Sequence, residues 1–223
     1  MAKPNAQIPV NFPLNRYREL IGRTLVPDAA QHQVITALDN VYWQLIEEPK
    51  CQSRFVKGVY IWGDVGRGKS FLMDLFYECL PQKGKLRLHF HHFMAQVHQS
   101  LKQYSGQQDP LPKVAKGLAS SLGDKYRVLC FDEFFVSDIG DAMLLSGLFD
   151  CLFSEGVVLV ATSNIPIERL YEHGLARHKF LPCIDLLQRH TQILHLKGEV
   201  DHRVYSVVMS GKERSRVSDF VGI

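Results

Sequence analysis

Residues 63–70 read GDVGRGKS and fit the pattern G-x-x-x-x-G-K-[ST]. Each fixed position of that pattern has a task in holding phosphate. Gly63, Gly66 and Gly68 permit a tight turn whose backbone N–H groups approach phosphate oxygens closely. Asp64, Val65 and Arg67 fill the variable positions, and Phe71 continues the segment. Lys69 is suited to set a point charge on the β- and γ-phosphates, and the Ser70 hydroxyl to ligate Mg²⁺.

Two acids, Asp132 and Glu133, close the apolar run of residues 128–131. Asp132 suits a carboxylate that holds Mg²⁺ through water, and the adjacent Glu133 suits a base that polarises a water for in-line attack on a γ-phosphate. Asn164 ends a third apolar run, where its amide can hydrogen-bond the γ-phosphate or the attacking water; Asn before Ile-Pro is also an ordinary turn former. Arg169, Arg177 and Arg189 follow. An arginine that stabilises the transferring phosphoryl group is commonly supplied in trans. Arg177, just past a helix break at Gly174, is the favoured one, which implies an oligomer with its site at a subunit interface. The catalytic candidates are thus Lys69, Glu133, Asn164 and Arg177. The expected ligands are ATP at residues 63–71 and Mg²⁺ at Ser70 and Asp132.

These residues need a scaffold that brings distant segments to one edge. A β-branched and aromatic strand over 59–62 precedes the loop, and an apolar helix over 71–80 follows it. Further strands are expected over 86–91, 127–133, 157–161 and 192–196. Helices are expected over 93–104, 114–122, 139–153 and 168–173, with another from Pro182. Ahead of the first strand, Asp28 and Gln31 form a capping box for a helix through residue 46; either could also touch a base. Strands alternating with helices predict a three-layer αβα fold around a parallel five-stranded sheet. A strand–helix unit between the loop and Asp132 predicts the order 5-1-4-3-2. Such a sheet binds ligands at the carboxyl ends of its strands, where the loop, Asp132, Glu133 and Asn164 all fall.

The formal charge of +3, without a run of basic residues, gives no reason to expect a nucleic-acid partner. No uncharged apolar run is long enough to span a bilayer, and the first twenty residues lack a secretory apolar stretch. Their basic residues support a mitochondrial presequence only weakly. The five cysteines form no C-x-x-C pair; four of them sit in apolar runs and suit the core of a protein in a reducing compartment. His89, His91, His92 and His98 invite a metal reading, but no nearby Cys or acid completes a zinc set. The alternative puts His91 or His92 beside Glu133 as a restraint. Phe134, Phe135 and Val136 face either the core or a partner. The prolines at 4, 9 and 13 make residues 1–22 an extended lead-in. Residues 23–200 form the core, and 201–223 begin a C-terminal region.

Several of these runs together resemble the ZapE/AFG-type AAA+ ATPases, most closely the bacterial branch. They are residues 63–70, 88–91, 128–143 and 161–166, together with Leu170, Tyr171, Gly174, Leu175, Arg177, Phe180, Leu181 and Pro182. The resemblance covers about residues 27–203. It implies an ATPase that remodels a protein partner in cell division, acting on the FtsZ ring, in the cytoplasm with at most peripheral contact at the inner membrane. Mitochondrial relatives imply matrix quality control of membrane proteins. It also implies a longer C-terminal region carrying a lid, which the polar stretch 210–216 does not resemble. Two other readings stand beside it: a nucleotide-dependent binding module with little turnover, and a helicase-loader-like ATPase.

Overall fold

The computed structural model describes residues 11–23, 25–46, 55–123 and 126–197. In chain order the elements are α1 (Pro13–Leu20), α2 (Ala29–Ile46), β1 (Gly58–Trp62), α3 (Lys69–Cys79), β2 (Lys85–His89) and α4 (Phe90–Gln103). There follow α5 (Pro110–Leu122), β3 (Arg127–Asp132), α6 (Ile139–Ser154), β4 (Val157–Ser163), α7 (Leu181–His190) and β5 (Thr191–His195). All strand pairs are parallel, in the order β2-β3-β4-β1-β5, which is the expected order read from the other edge.

Alternation along the strands divides the core. Val59, Ile61, Val128, Cys130, Val158 and Val160 face α1, α2 and α3, while Tyr60, Leu129, Phe131, Leu159 and Ala161 face α4 to α7. The central strand β4 is buried at every residue, as a sheet covered on both faces requires. Each large apolar side chain withdrawn from water in this way contributes about 1.5–3 kcal/mol.

Several boundaries differ from the sequence expectation. Residues 13–20 are helical, not extended: Pro13 takes the first helical turn, where its fixed φ and missing N–H cost nothing. The second strand stops at His89 and α4 begins at once, so the strand expected over 86–91 is cut short and His91 and His92 lie on a helix. Pro110 likewise starts α5 earlier than expected. The expected helix over 168–173 is replaced by two 3₁₀ turns, Ile167–Arg169 and Arg177–Lys179. Asp138 caps α6 by accepting from the Asp141 N–H at 3.1 Å. Phe134 and Val136 enter the core and Phe135 stays 55% exposed. Cys130 and Cys183 are buried, and Cys79 and Cys151 half-buried. Cys51, residues 1–10 and the C-terminal region 201–223 lie outside the described residues.

Candidate nucleotide-binding site

The loop between β1 and α3 owes its shape to its glycines. Gly63 has φ +154, and a Cβ there would sit 2.5 Å from the Leu196 carbonyl oxygen. Gly68 has φ +88, and a Cβ there would sit 2.8 Å from Gln31 Nε2. Gln31 is buried; its Nε2 donates to the Arg67 carbonyl at 2.9 Å, and its Oε1 accepts from the Tyr17 hydroxyl at 3.2 Å. The loop is therefore held from behind by α1 and α2. Asp28 caps α2, accepting from the N–H groups of Ala30 and Gln31. The Gln31 side chain does not return to complete a capping box; it grips the loop.

Lys69 is 8% exposed, and its Nζ donates to the Gly63 and Asp64 carbonyls, both at 2.7 Å. Burial pulls its pKa below the ordinary lysine value, while Asp64 and Asp132 oppose that shift. Ser70 Oγ donates to Asp132 Oδ1 at 2.7 Å, which joins the loop to the end of β3. Thr162 Oγ1 donates to the same oxygen at 2.7 Å and accepts from the Glu133 N–H at 3.2 Å. Arg87 Nη2 donates to Asp132 Oδ2 at 3.0 Å. The buried Asp132 carboxylate thus has donors on both oxygens.

Glu133 stands at φ 55, a left-handed backbone that only a few non-glycine residues adopt. The Phe134 N–H, bonded to the Thr162 carbonyl at 2.7 Å, holds the chain there. Ser163 Oγ donates to the Phe134 carbonyl at 2.8 Å and accepts from the Ile165 N–H, so one hydroxyl ties the β3 end to the turn that carries Asn164. The buried Tyr60 hydroxyl donates to the Ile165 carbonyl at 2.8 Å. Its burial pushes the phenol pKa upward.

A cleft of about 580 Å³ opens over these residues, lined by Leu25, Gln31, Val65, Gly66, Gly68, Lys69, Ser70, Phe71, Asp132, Glu133, Thr162, Ser163 and Asn164. Its size and its mixture of apolar wall and converging polar groups suit a nucleotide. Ser70 Oγ and Asp132 Oδ1 are hard oxygen donors of the kind Mg²⁺ takes alongside water and phosphate. No group of three or more His, Cys, Asp or Glu side chains among the described residues could hold a metal alone.

Most sequence-predicted candidates meet here; Arg177 does not line this cleft. Its Nη2 donates to the Glu168 carbonyl at 2.5 Å, and its Nε is buried without a partner. Arg169 pairs with Glu172, and Arg189 bonds the Asp185 carbonyl. The expectation that His91 or His92 flanks Glu133 is corrected: His89 does, with Nδ1 3.8 Å from Glu133 Oε2. The β2–β3 register sets His89 opposite Asp132, while His91 and His92 have turned onto α4. His98 is bonded to Asp141 at 2.6 Å, apart from the other three. Sequence reading missed Arg87, Thr162 and Tyr60. Arg87 and His89 could have been noticed as two basic residues on one face of a strand.

A family model described as AFG1-like ATPase matches residues 12–211. Over 194 residues the chain is 46% identical to the cell division protein ZapE of Escherichia coli K12, covering 87% of this chain and 50% of that protein. Over 166 residues it is 40% identical to lactation elevated protein 1 homolog B of Danio rerio, covering 70% of this chain and 32% of that protein. The chain therefore spans half the length of the first relative and less of the second. Among solved structures, DnaI superimposes with a TM-score of 0.58 at 16% identity, covering 81% of this chain and 88% of that one. The DnaC helicase loader gives 0.55 at 16% identity, covering 82% and 99%. At such identities the likeness is one of fold, here a P-loop architecture with a parallel five-stranded sheet. With the family match running across the whole described sheet, and the phosphate loop joined to Asp132 as that architecture requires, the chain belongs to the AFG1-like ATPase family.

Proposed function

We propose that this chain is the ATP-binding and ATP-hydrolysing core of an AAA+ protein that uses turnover to remodel a protein partner. The observation that carries the reading is the 2.7 Å bond from Ser70 to Asp132, with Lys69, Glu133 and Asn164 on the same cleft. Lys69 would exchange its two carbonyl acceptors for β- and γ-phosphate oxygens. Ser70 and Asp132 would hold Mg²⁺, which when bound neutralises charge on the phosphate oxygens. Glu133 would orient and deprotonate the attacking water, with Asn164 hydrogen-bonded at the γ-phosphate. Arg177 of a neighbouring copy would complete the site, so the working unit is a homo-oligomer.

The relative named as a cell division protein supports a role in division, with FtsZ as the partner that the sequence resemblance implies. The proposed working place is the cytoplasm, with at most peripheral contact at the inner membrane; the mitochondrial matrix is the alternative that the sequence resemblance implies. No helix among the described residues is long and apolar enough to cross a membrane. Nucleotide binding and steady-state turnover test the reading. Lys69→Ala is expected to abolish ATP binding, and Glu133→Gln to bind ATP without turning it over. Undiminished turnover by Glu133→Gln refutes the base assignment.

A further inference from the structure

Asp132 is 6% exposed, and its two oxygens are treated differently. Oδ1 takes the Ser70 and Thr162 hydroxyls on the cleft side. Oδ2 takes Arg87 Nη2 at 3.0 Å. The other end of the same guanidinium places Nε 2.7 Å from Asp74 Oδ1, an ion pair out of line for a hydrogen bond. Asp74 lies four residues after Ser70 on α3, hence on the same helical face. Ser70, Asp132, Arg87 and Asp74 therefore close a polar ring across α3, β3 and β2. Ser70 is both a member of this ring and the residue suited to ligate a cation. A hydroxyl that moves to a cation leaves Asp132 with Thr162 and Arg87 as its donors.

We infer that Arg87 is a positioning residue: it fixes Oδ2 of Asp132 so that Oδ1 stays turned to Ser70 and the cation, and Asp74 sets the guanidinium in place. The inference rests on the proposed role of Asp132. An arginine suits the place because its extended guanidinium donates to Asp132 at one end while its other end lies in ion-pair contact with Asp74, a span that a lysine point charge does not cover. Mg²⁺ makes the placement matter, since it demands near-ideal octahedral geometry. Without Arg87, the Asp132 carboxylate loses its Oδ2 donor and its two oxygens become interchangeable by rotation.

The test uses the full chain carrying Arg87→Met, Arg87→Lys, Asp74→Ala or Asp132→Asn. ATP affinity is measured by competition with a fluorescent nucleotide, in EDTA and in Mg²⁺, beside turnover and melting temperature. Arg87→Met is expected to keep wild-type ATP affinity in EDTA, because the phosphate loop is untouched. It should lose at least about tenfold of the tightening that Mg²⁺ gives and at least about tenfold in kcat, the size of one charge-assisted hydrogen bond. Arg87→Lys should not restore either quantity, and Asp74→Ala should show a smaller loss in the same direction. Wild-type tightening by Mg²⁺ in Arg87→Met overturns the inference. So does a fall in EDTA affinity that matches the fall in kcat, since that marks general damage to α3. If Arg87→Met does not fold, unaltered Mg²⁺ tightening in Asp74→Ala overturns it. If Asp132→Asn keeps the tightening, the metal role of Asp132 fails instead.

Discussion

Replacing Thr162 with valine changes almost no volume and removes two hydrogen bonds at the centre of the site. Thr162 is 1% exposed, so no water replaces them. The donation to Asp132 Oδ1 at 2.7 Å is charge-assisted and contributes roughly 1.5–3 kcal/mol. The acceptance from the Glu133 N–H at 3.2 Å is longer and contributes about 1 kcal/mol at most. Asp132 keeps the Ser70 and Arg87 donors, so the lower end applies, and Thr162→Val should cost about 1.5–2.5 kcal/mol. For a chain of this size that lowers the melting temperature by roughly 3–10 °C. Turnover should fall further than stability explains. The left-handed turn at Glu133 keeps the Phe134 bond to the Thr162 carbonyl but loses the bond at its own N–H. A base released from its position by about 1 kcal/mol slows catalysis by up to about fivefold. Melting curves and steady-state turnover, with Thr162→Ser as the control that keeps the hydroxyl, measure both effects. A Thr162→Val protein with wild-type melting and kcat, beside an impaired Thr162→Ser, refutes the reasoning, because the methyl group and not the hydroxyl would then be what matters.

Other outcomes follow from the same geometry. His89→Ala should raise basal turnover by freeing Glu133; the pair is 45% and 72% exposed at 3.8 Å, so a rise beyond about fivefold is not expected, and no change sinks the restraint. Arg177→Ala should abolish the increase of specific activity with protein concentration while leaving ATP affinity intact, as measured across a dilution series. Alkali should destabilise the fold. Burial pushes the Cys79 thiol up to about 11 and Cys130 to about 12, so the folded chain stays protonated where the unfolded chain ionises. Stability is then complete below pH 9.0 and falls as pH rises through those values, which urea midpoints at successive pH values would show.

What the sequence made legible is what short segments carry alone. The loop, the acidic strand end and the strand–helix alternation are local patterns, and from them the sheet order followed. The polar lacing was hidden because it depends on register. Nothing in residues 85–89 says that Arg87 faces two aspartates, or that His89 sits opposite Asp132, until β2 is laid on β3. The same holds for Gln31, which reads as part of a cap and acts 36 residues away on the loop backbone. The 3₁₀ turns after β4 escaped for the opposite reason: three residues carry no period to read. Three prolines at 4, 9 and 13 suggested extension, although Pro13, in the first turn of α1, starts a helix.

Of the two tryptophans of this chain, Trp62 adjoins the phosphate loop and Trp43 lies on α2, which gives the protein its own optical probes. Trp62 directly precedes Gly63 and stacks on His195, with ring centroids 3.5 Å apart. Burial, then Lys197, holds the His195 pKa below the ordinary imidazole value, so quenching of Trp62 emission by a protonated imidazole sets in only at more acidic pH. Trp43 donates to Asp39, which also takes the Leu14 N–H, and its ring meets Phe12. That places it where α1 packs on α2, toward the opposite end of α2 from the Tyr17–Gln31 contact behind the loop. Trp62 emission is therefore expected to report on the loop without a label, while Trp43 reports on the packing of α1 against α2.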